Sequence, residues 1–226
     1  LISSNGVIWK AKVKGTQLVY PGNLPLEPGI SYSLKIKANT GQSSQQDGAS
    51  NLDFIILRPA EAEIVKAEVA KIEREGFSSL VTGLLLAELY SNYVLPASSL
   101  SAYNLTPETA RSYNLTAEAI ATLEVLVQPG EKTPILYRTL GDLYWQSGLA
   151  NLTAQNYLKA LELAKSPEFL EERTLAQFGL GEVSAATDDN QQAISWYEQA
   201  KMGYIPLGDT QRADFLNRRL KTLKSR

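Results

Sequence analysis

The sequence predicts a mainly α-helical protein of tandem helix pairs, with a small antiparallel β-domain at its amino-terminal side. Three observations predict this. Apolar and polar residues alternate at a period of two in the first 58 residues, helical spacing takes over from Ala60, and one set of large and small residues then recurs along the chain. With 226 residues and 44% hydrophobic content the chain can bury one large core or two modest ones.

The β-domain is expected over 1–59. Val7, Trp9, Ala11 and Val13 alternate with Ile8, Lys10, Lys12 and Lys14, and Ser31, Ser33, Lys35 and Lys37 alternate with Tyr32, Leu34, Ile36 and Ala38. Pro21-Gly22, Pro25 and Pro28-Gly29 mark turns between them, 41–50 reads as a polar, mobile hairpin loop, and 51–57 as a closing apolar strand. The run from Leu26 to Leu34, with Tyr32 placed for a corner contact, resembles the entry to the penultimate strand of a fibronectin type III sandwich. A complete sandwich of that kind takes roughly 100 residues and seven strands. Either strands upstream of Leu1 are missing, which is the favoured expectation, or the sheet packs on the helical part.

A linker helix is expected over 60–77, where Ile64, Val65, Val69 and Ile72 share one face and Glu75-Gly76 stops it. The repeats are expected over 78–226. Tyr137, Leu140, Gly141 and Tyr144 are followed by Thr153, Tyr157 and Ala160. Leu180 and Gly181 are followed, at the same spacing, by Ala193, Tyr197 and Ala200. Leu86, Ala87 and Tyr90 begin a further unit, completed late by Ala119, Leu123 and Leu126. On these residues the chain resembles the tetratricopeptide-repeat family, which implies a superhelix of three helix pairs. Ala213, Leu216, Leu220 and Leu223 form a helical face suited to a capping helix. Thr153 departs from the Ala usual at its position, and Ser184 from the usual aromatic.

Against a family period of about 34 residues, the first unit carries a long insertion. It holds a near-duplication, Ser101–Ala110 beside Arg111–Ile120, each copy with a Thr placed to cap a helix, the first followed by Pro107. A short helix or ordered loop is expected there. Asn104, Asn114 and Asn151 match a glycosylation acceptor pattern, but helix capping accounts for the same Asn-Leu-Thr.

Composition narrows the function classes. The chain has no Cys and no His, which removes thiolate nucleophiles, imidazole bases and the usual zinc ligands. The remaining acidic pair, Asp188-Asp189, lies where Asp caps a helix, so no enzyme activity, metal or cofactor is expected. Net charge is -2, and the one basic cluster, Arg212 to Arg226, suits a helix carboxy-terminus rather than nucleic acid. No run is apolar enough to span a bilayer.

In tetratricopeptide-repeat proteins the ligand lies along the concave face of the first helices, and a well-known subclass clamps a carboxylate with Lys and Asn. Carried over by position, the resemblance sets Glu88, Asp142 and Glu182 where that clamp has Asn, with Asn92 one turn beyond Glu88. An acidic row disfavours a carboxylate and favours a basic or amino-terminal peptide. Arg138, one turn before Asp142, could instead neutralise it. Trp145, Gln146 and Phe178 fall on or near the same face, as peptide anchors or as core. Charge reversal of Asp142 and Glu182 is expected to weaken a basic partner.

The expected function is therefore a scaffold that binds a protein or peptide segment. The alternative is a self-assembling structural protein of the cell envelope. The order of β-module and repeats resembles bacterial envelope proteins, which implies periplasm or envelope, with cytoplasm as the alternative. A start at Leu1 rather than Met fits a processed or trimmed chain.

Overall fold

The structure, a computed structural model, describes residues 1–3, 6–14, 19–37, 53–106, 110, 113–127, 130 and 132–225. The expected loop over 41–50, the start of the closing strand and Pro107 lie outside them. The chain is mainly α-helical and divides into two compact units, one of 1–74 with 93–114, the other of 75–92 with 115–226.

In the first unit, β1 (Ile2–Ser3), β2 (Gly6–Val7), β3 (Ser31–Ser33) and β4 (Asp53–Ile55) form an antiparallel sheet of order β2-β1-β3-β4. The strands are shorter than the alternation predicts: β2 ends at Val7, β3 at Ser33 and β4 at Ile55. Alternation suits a residue to a half-wet surface, but a ladder also needs regular pairing with a partner's backbone: past Val7 the Leu1 carbonyl accepts from both Ile8 and Trp9, at 3.0 and 3.3 Å, which breaks the one-to-one register. Beyond β2, Trp9 meets Tyr20 edge-on, with ring centroids 5.4 Å apart. Tyr32 is buried, stacks on Phe54 at 5.5 Å, and accepts the Glu27 backbone N–H on its hydroxyl at 2.7 Å.

Helix α1 (Pro59–Arg74) starts on a proline, whose missing N–H would be unbonded there anyway, and is followed by Gly76 in the left-handed region at φ 70°. Its expected apolar face is only partly covered, with Ile64 51% exposed, and the buried side chain of the helix is Glu61. A buried carboxylate needs donors. Tyr103 supplies one at 3.1 Å and Ser99 another, while the Arg58 backbone N–H donates to the same Tyr103 hydroxyl at 2.8 Å. The Arg58 guanidinium covers the Tyr103 ring at 5.2 Å and runs across Gly29, where a Cβ would sit 2.6 Å from its Nε.

Tyr103 ends a 3-10 helix, Ala97–Tyr103, that runs into the first copy of the duplication; Asn104 closes it in the left-handed conformation at φ 55°. Leu100 and Tyr103 of that helix make a small core with Leu95 and Ala110. Ordered structure does form in the insertion, and it packs within the first unit.

The second unit holds α2 (Ser79–Ser91), α3 (Thr116–Val127), α4 (Pro134–Gln146), α5 (Ala150–Leu163), α6 (Leu170–Ala186), α7 (Asn190–Tyr204) and α8 (Thr210–Lys224). Helices pair as α2 with α3, α4 with α5 and α6 with α7, and α8 packs on α7. Successive pairs stack through α3 on α4 and α5 on α6, and the first helices meet directly, α2 on α4 and α4 on α6. Asp189 and Asp209 cap α7 and α8 by accepting the backbone N–H of Gln192 at 3.1 Å and of Arg212 at 2.9 Å. No helix among the described residues is long and apolar enough to cross a membrane.

Close helix approach explains the recurring small residues. A Cβ on Gly141 would lie 2.5 Å from the Tyr157 ring, and one on Gly181 2.4 Å from the Tyr197 ring. Tyr157 is also pressed from the next pair, since a Cβ on Gly179 would meet its ring at 2.3 Å. Thr153 is fully buried and returns its hydroxyl to the Leu149 carbonyl at 3.0 Å, so the polar group is satisfied where Ala would be usual.

Candidate functional site

Between α2 and α4 lies a groove of about 260 Å³. Leu84, Glu88 and Ser91 line it from α2, and Ile135, Arg138, Thr139, Asp142, Leu143 and Gln146 from α4. The helical repeat produces these walls: residues three and four apart face one way, so each first helix presents a stripe to its neighbour. Glu88, Arg138, Asp142 and Gln146 of the sequence candidates are brought together here. Asn92 joins them through Glu88, its amide Nδ2 donating to that carboxylate at 2.5 Å.

The other candidates have different surroundings. Trp145 is partly buried against the core built on Tyr157, Ala160 and Leu180. Phe178 packs among the rings of Tyr197, Tyr204 and Phe215, with centroids 6.2, 6.4 and 6.4 Å away. Glu182 accepts a hydrogen bond from the Tyr197 hydroxyl, and Arg219 approaches it at 3.8 Å while lying 5.9 Å over the Tyr197 ring.

Asp142 is equally engaged. Arg138 donates from Nη1 to Asp142 and from Nε to Glu172 on α6 at 2.5 Å, and the Tyr157 hydroxyl donates to Asp142 at 2.7 Å. Burial pushes the Asp142 carboxyl above its ordinary range, opposed by the Arg138 charge and the Tyr157 hydrogen bond. Burial and then the facing carboxylates push the phenols of Tyr157 and Tyr197 up as well. The acid and its tyrosine are 15 residues apart in both pairs, so the motif repeats with the fold. In the first pair the position of Tyr157 is taken by Leu123, which is fully buried and carries no hydroxyl.

Neither a protein-family model nor a curated protein matches this chain.

Sequence reasoning missed Glu172 and the apolar wall of Leu84, Ile135 and Leu143. The repeat register could not have found Glu172, because these two units are offset by 40 residues, as Gly141 and Gly181 show, and Glu172 stands 34 residues after Arg138. Leu84 and Leu143 belong to helical stripes that sequence alone assigns to the core. Among the described residues, no three acidic side chains gather as a set of metal donors. The groove presents apolar contact, hydrogen-bonding hydroxyl and amide groups, and carboxylates in different states of engagement.

Proposed function

We propose that this chain is a protein-interaction scaffold of the tetratricopeptide-repeat type, holding a segment of a partner protein in the groove between α2 and α4. The groove carries the reading: the first helices of consecutive pairs form its two walls, and both walls combine apolar with polar groups. The glycine-to-tyrosine fit at Gly141 and Gly181 supports the family reading of the helix pairs. The Tyr32 contact to Glu27 supports reading the sheet as fibronectin type III-like. At about 260 Å³ the groove falls below the roughly 300 to 1,000 Å³ of small-molecule pockets and suits a few side chains of an extended peptide.

A photo-crosslinking amino acid at Gln146, in the groove, tests this against one at the exposed Gln155 on α5. A partner adduct formed in cells from position 146 and absent from 155 is the expected result. No adduct at 146, or equal adducts at both, would overturn the reading. The self-assembly alternative has less support, because the outer strands β2 and β4 offer two and three residues for edge pairing.

A further inference from the structure

The acids of the row are not equivalent. Asp142 and Glu182 each have a tyrosine hydroxyl and an arginine as partners within the fold. Glu88 is exposed, its carboxylate bonded by the neutral Asn92 amide, and among the described residues no Lys or Arg lies within ion-pair distance of it. The difference lies in Leu123, which stands where the later pairs have tyrosine and leaves the first acid without a tyrosine hydroxyl, with the Asn92 amide as its side-chain donor.

The charges around the groove are also unbalanced. Asp142 and Glu172 share the single Arg138 cation, and Glu88 adds a third carboxylate, leaving two negative charges in excess. Apolar walls weaken solvent screening of such an excess and focus it on the groove. Helix α2 has no other charge than Glu88, yet Val81 and Leu85 on it remain 41% and 40% exposed, beside the groove residue Leu84. A helix apolar all round is normally covered, so the free apolar strip leads along α2 to one unmatched carboxylate.

The geometry points to an extended peptide in which an apolar side chain precedes or follows a lysine or arginine by about one helical turn's length, with Glu88 as the residue that reads the cation. The inference rests on the groove being the docking site proposed above. The apolar side chain lies over Leu84 and Leu85, and the cation supplies Glu88 with the charged partner that arginine supplies to the other two acids. Asp142 and Glu182 are positioning residues of the helix pairs rather than readers of the ligand.

Selection of short random peptides on the immobilised full chain tests this, with Gln146→Trp, which fills the groove from an exposed position, as the blocked control. Enrichment of peptides that pair an apolar residue with Lys or Arg is expected, their binding followed by fluorescence anisotropy. Glu88→Gln should weaken these peptides about tenfold and Glu88→Lys further, in the manner of a lost charge pair at a partly desolvated site. Glu182→Gln should instead lower the melting temperature.

Enrichment of acidic or uncharged peptides overturns the inference. So does an unchanged affinity in Glu88→Gln, or a Glu182→Gln variant that weakens binding as much as Glu88→Gln. In those cases the docking site itself survives if Gln146→Trp still abolishes binding. If no peptide is enriched over the blocked control, the inference and the docking reading fall together.

Discussion

Tyr157 has glycine on two sides and a carboxylate at its tip, and this environment sets its energetics. Replacing Gly179 by Ala offers about 1 kcal/mol of helix propensity, but the new Cβ would meet the ring at 2.3 Å while Gly141 blocks retreat on the other face. Overpacking of this kind costs about 1 to 3 kcal/mol and outweighs the gain. Gly179→Ala should therefore lower stability in urea denaturation, and Tyr157→Leu in the same chain should recover part of the loss.

The tyrosines also set a response to alkali. Burial, and then the carboxylates of Glu124, Asp142 and Glu182, raise the phenols of Tyr144, Tyr157 and Tyr197 in the folded state. A raised folded value means stability is fully present below the ordinary phenol value of about 10 and is lost as pH rises through the folded one. The melting temperature should fall above about pH 10, and the slope should flatten in the Tyr157→Phe and Tyr197→Phe variants. An identical slope in those variants would show that other groups titrate.

At the scale of elements, caps and clasps carry testable weight. Asp189→Ala removes the side-chain acceptor at the start of α7 and should cost about 1 kcal/mol, read from denaturation midpoints. In the first unit Glu61 joins the start of α1 to the 3-10 helix over Ala97–Tyr103. The hydrogen bond from Ser99, with further help from Tyr103 and Arg58, holds its carboxyl below the ordinary range against the opposing effect of burial. A lowered folded value contributes stability above the ordinary carboxyl value, lost as pH falls through the folded one. Amide exchange in 97–103 should accelerate, relative to its intrinsic rate, as acid protonates Glu61. Glu61→Gln should show the faster exchange already at neutral pH.

For the whole molecule, burial is distributed unevenly. Among the described residues the first unit buries Tyr32 in its sheet and a small set around Tyr103, whereas the helix pairs bury three sets around Leu140, Tyr157 and Tyr197. Units with little buried apolar surface open at lower free energy. In a Trp145→Phe, Trp196→Phe chain, Trp9 is the remaining tryptophan and reports the first unit. Its fluorescence should change at lower urea than the far-ultraviolet circular dichroism of the helices. Coincident transitions would mean that the two units unfold as one.

Helix periodicity, the small residues at Gly141 and Gly181, and the cap at Asp188-Asp189 were all legible in the sequence, because each depends on residues within a turn or two. The pairing of Arg138 with Asp142 one turn away was legible for the same reason. Strand lengths were not, since a ladder ends where its pairing register breaks rather than where alternation does. Nor was the place of the insertion, which depends on Tyr103 reaching Glu61 from 42 residues away. The sequence by itself thus determined which long segments are helical and where small residues let them approach, but not which side of α1 is buried, since Ile64 is exposed and Glu61 is covered. Only the tertiary structure decided which carboxylates are engaged across helices, because Tyr157 and Glu172 meet the Asp142 and Arg138 pair from other helices, while among the described residues the side-chain donor to Glu88 is Asn92, one turn away.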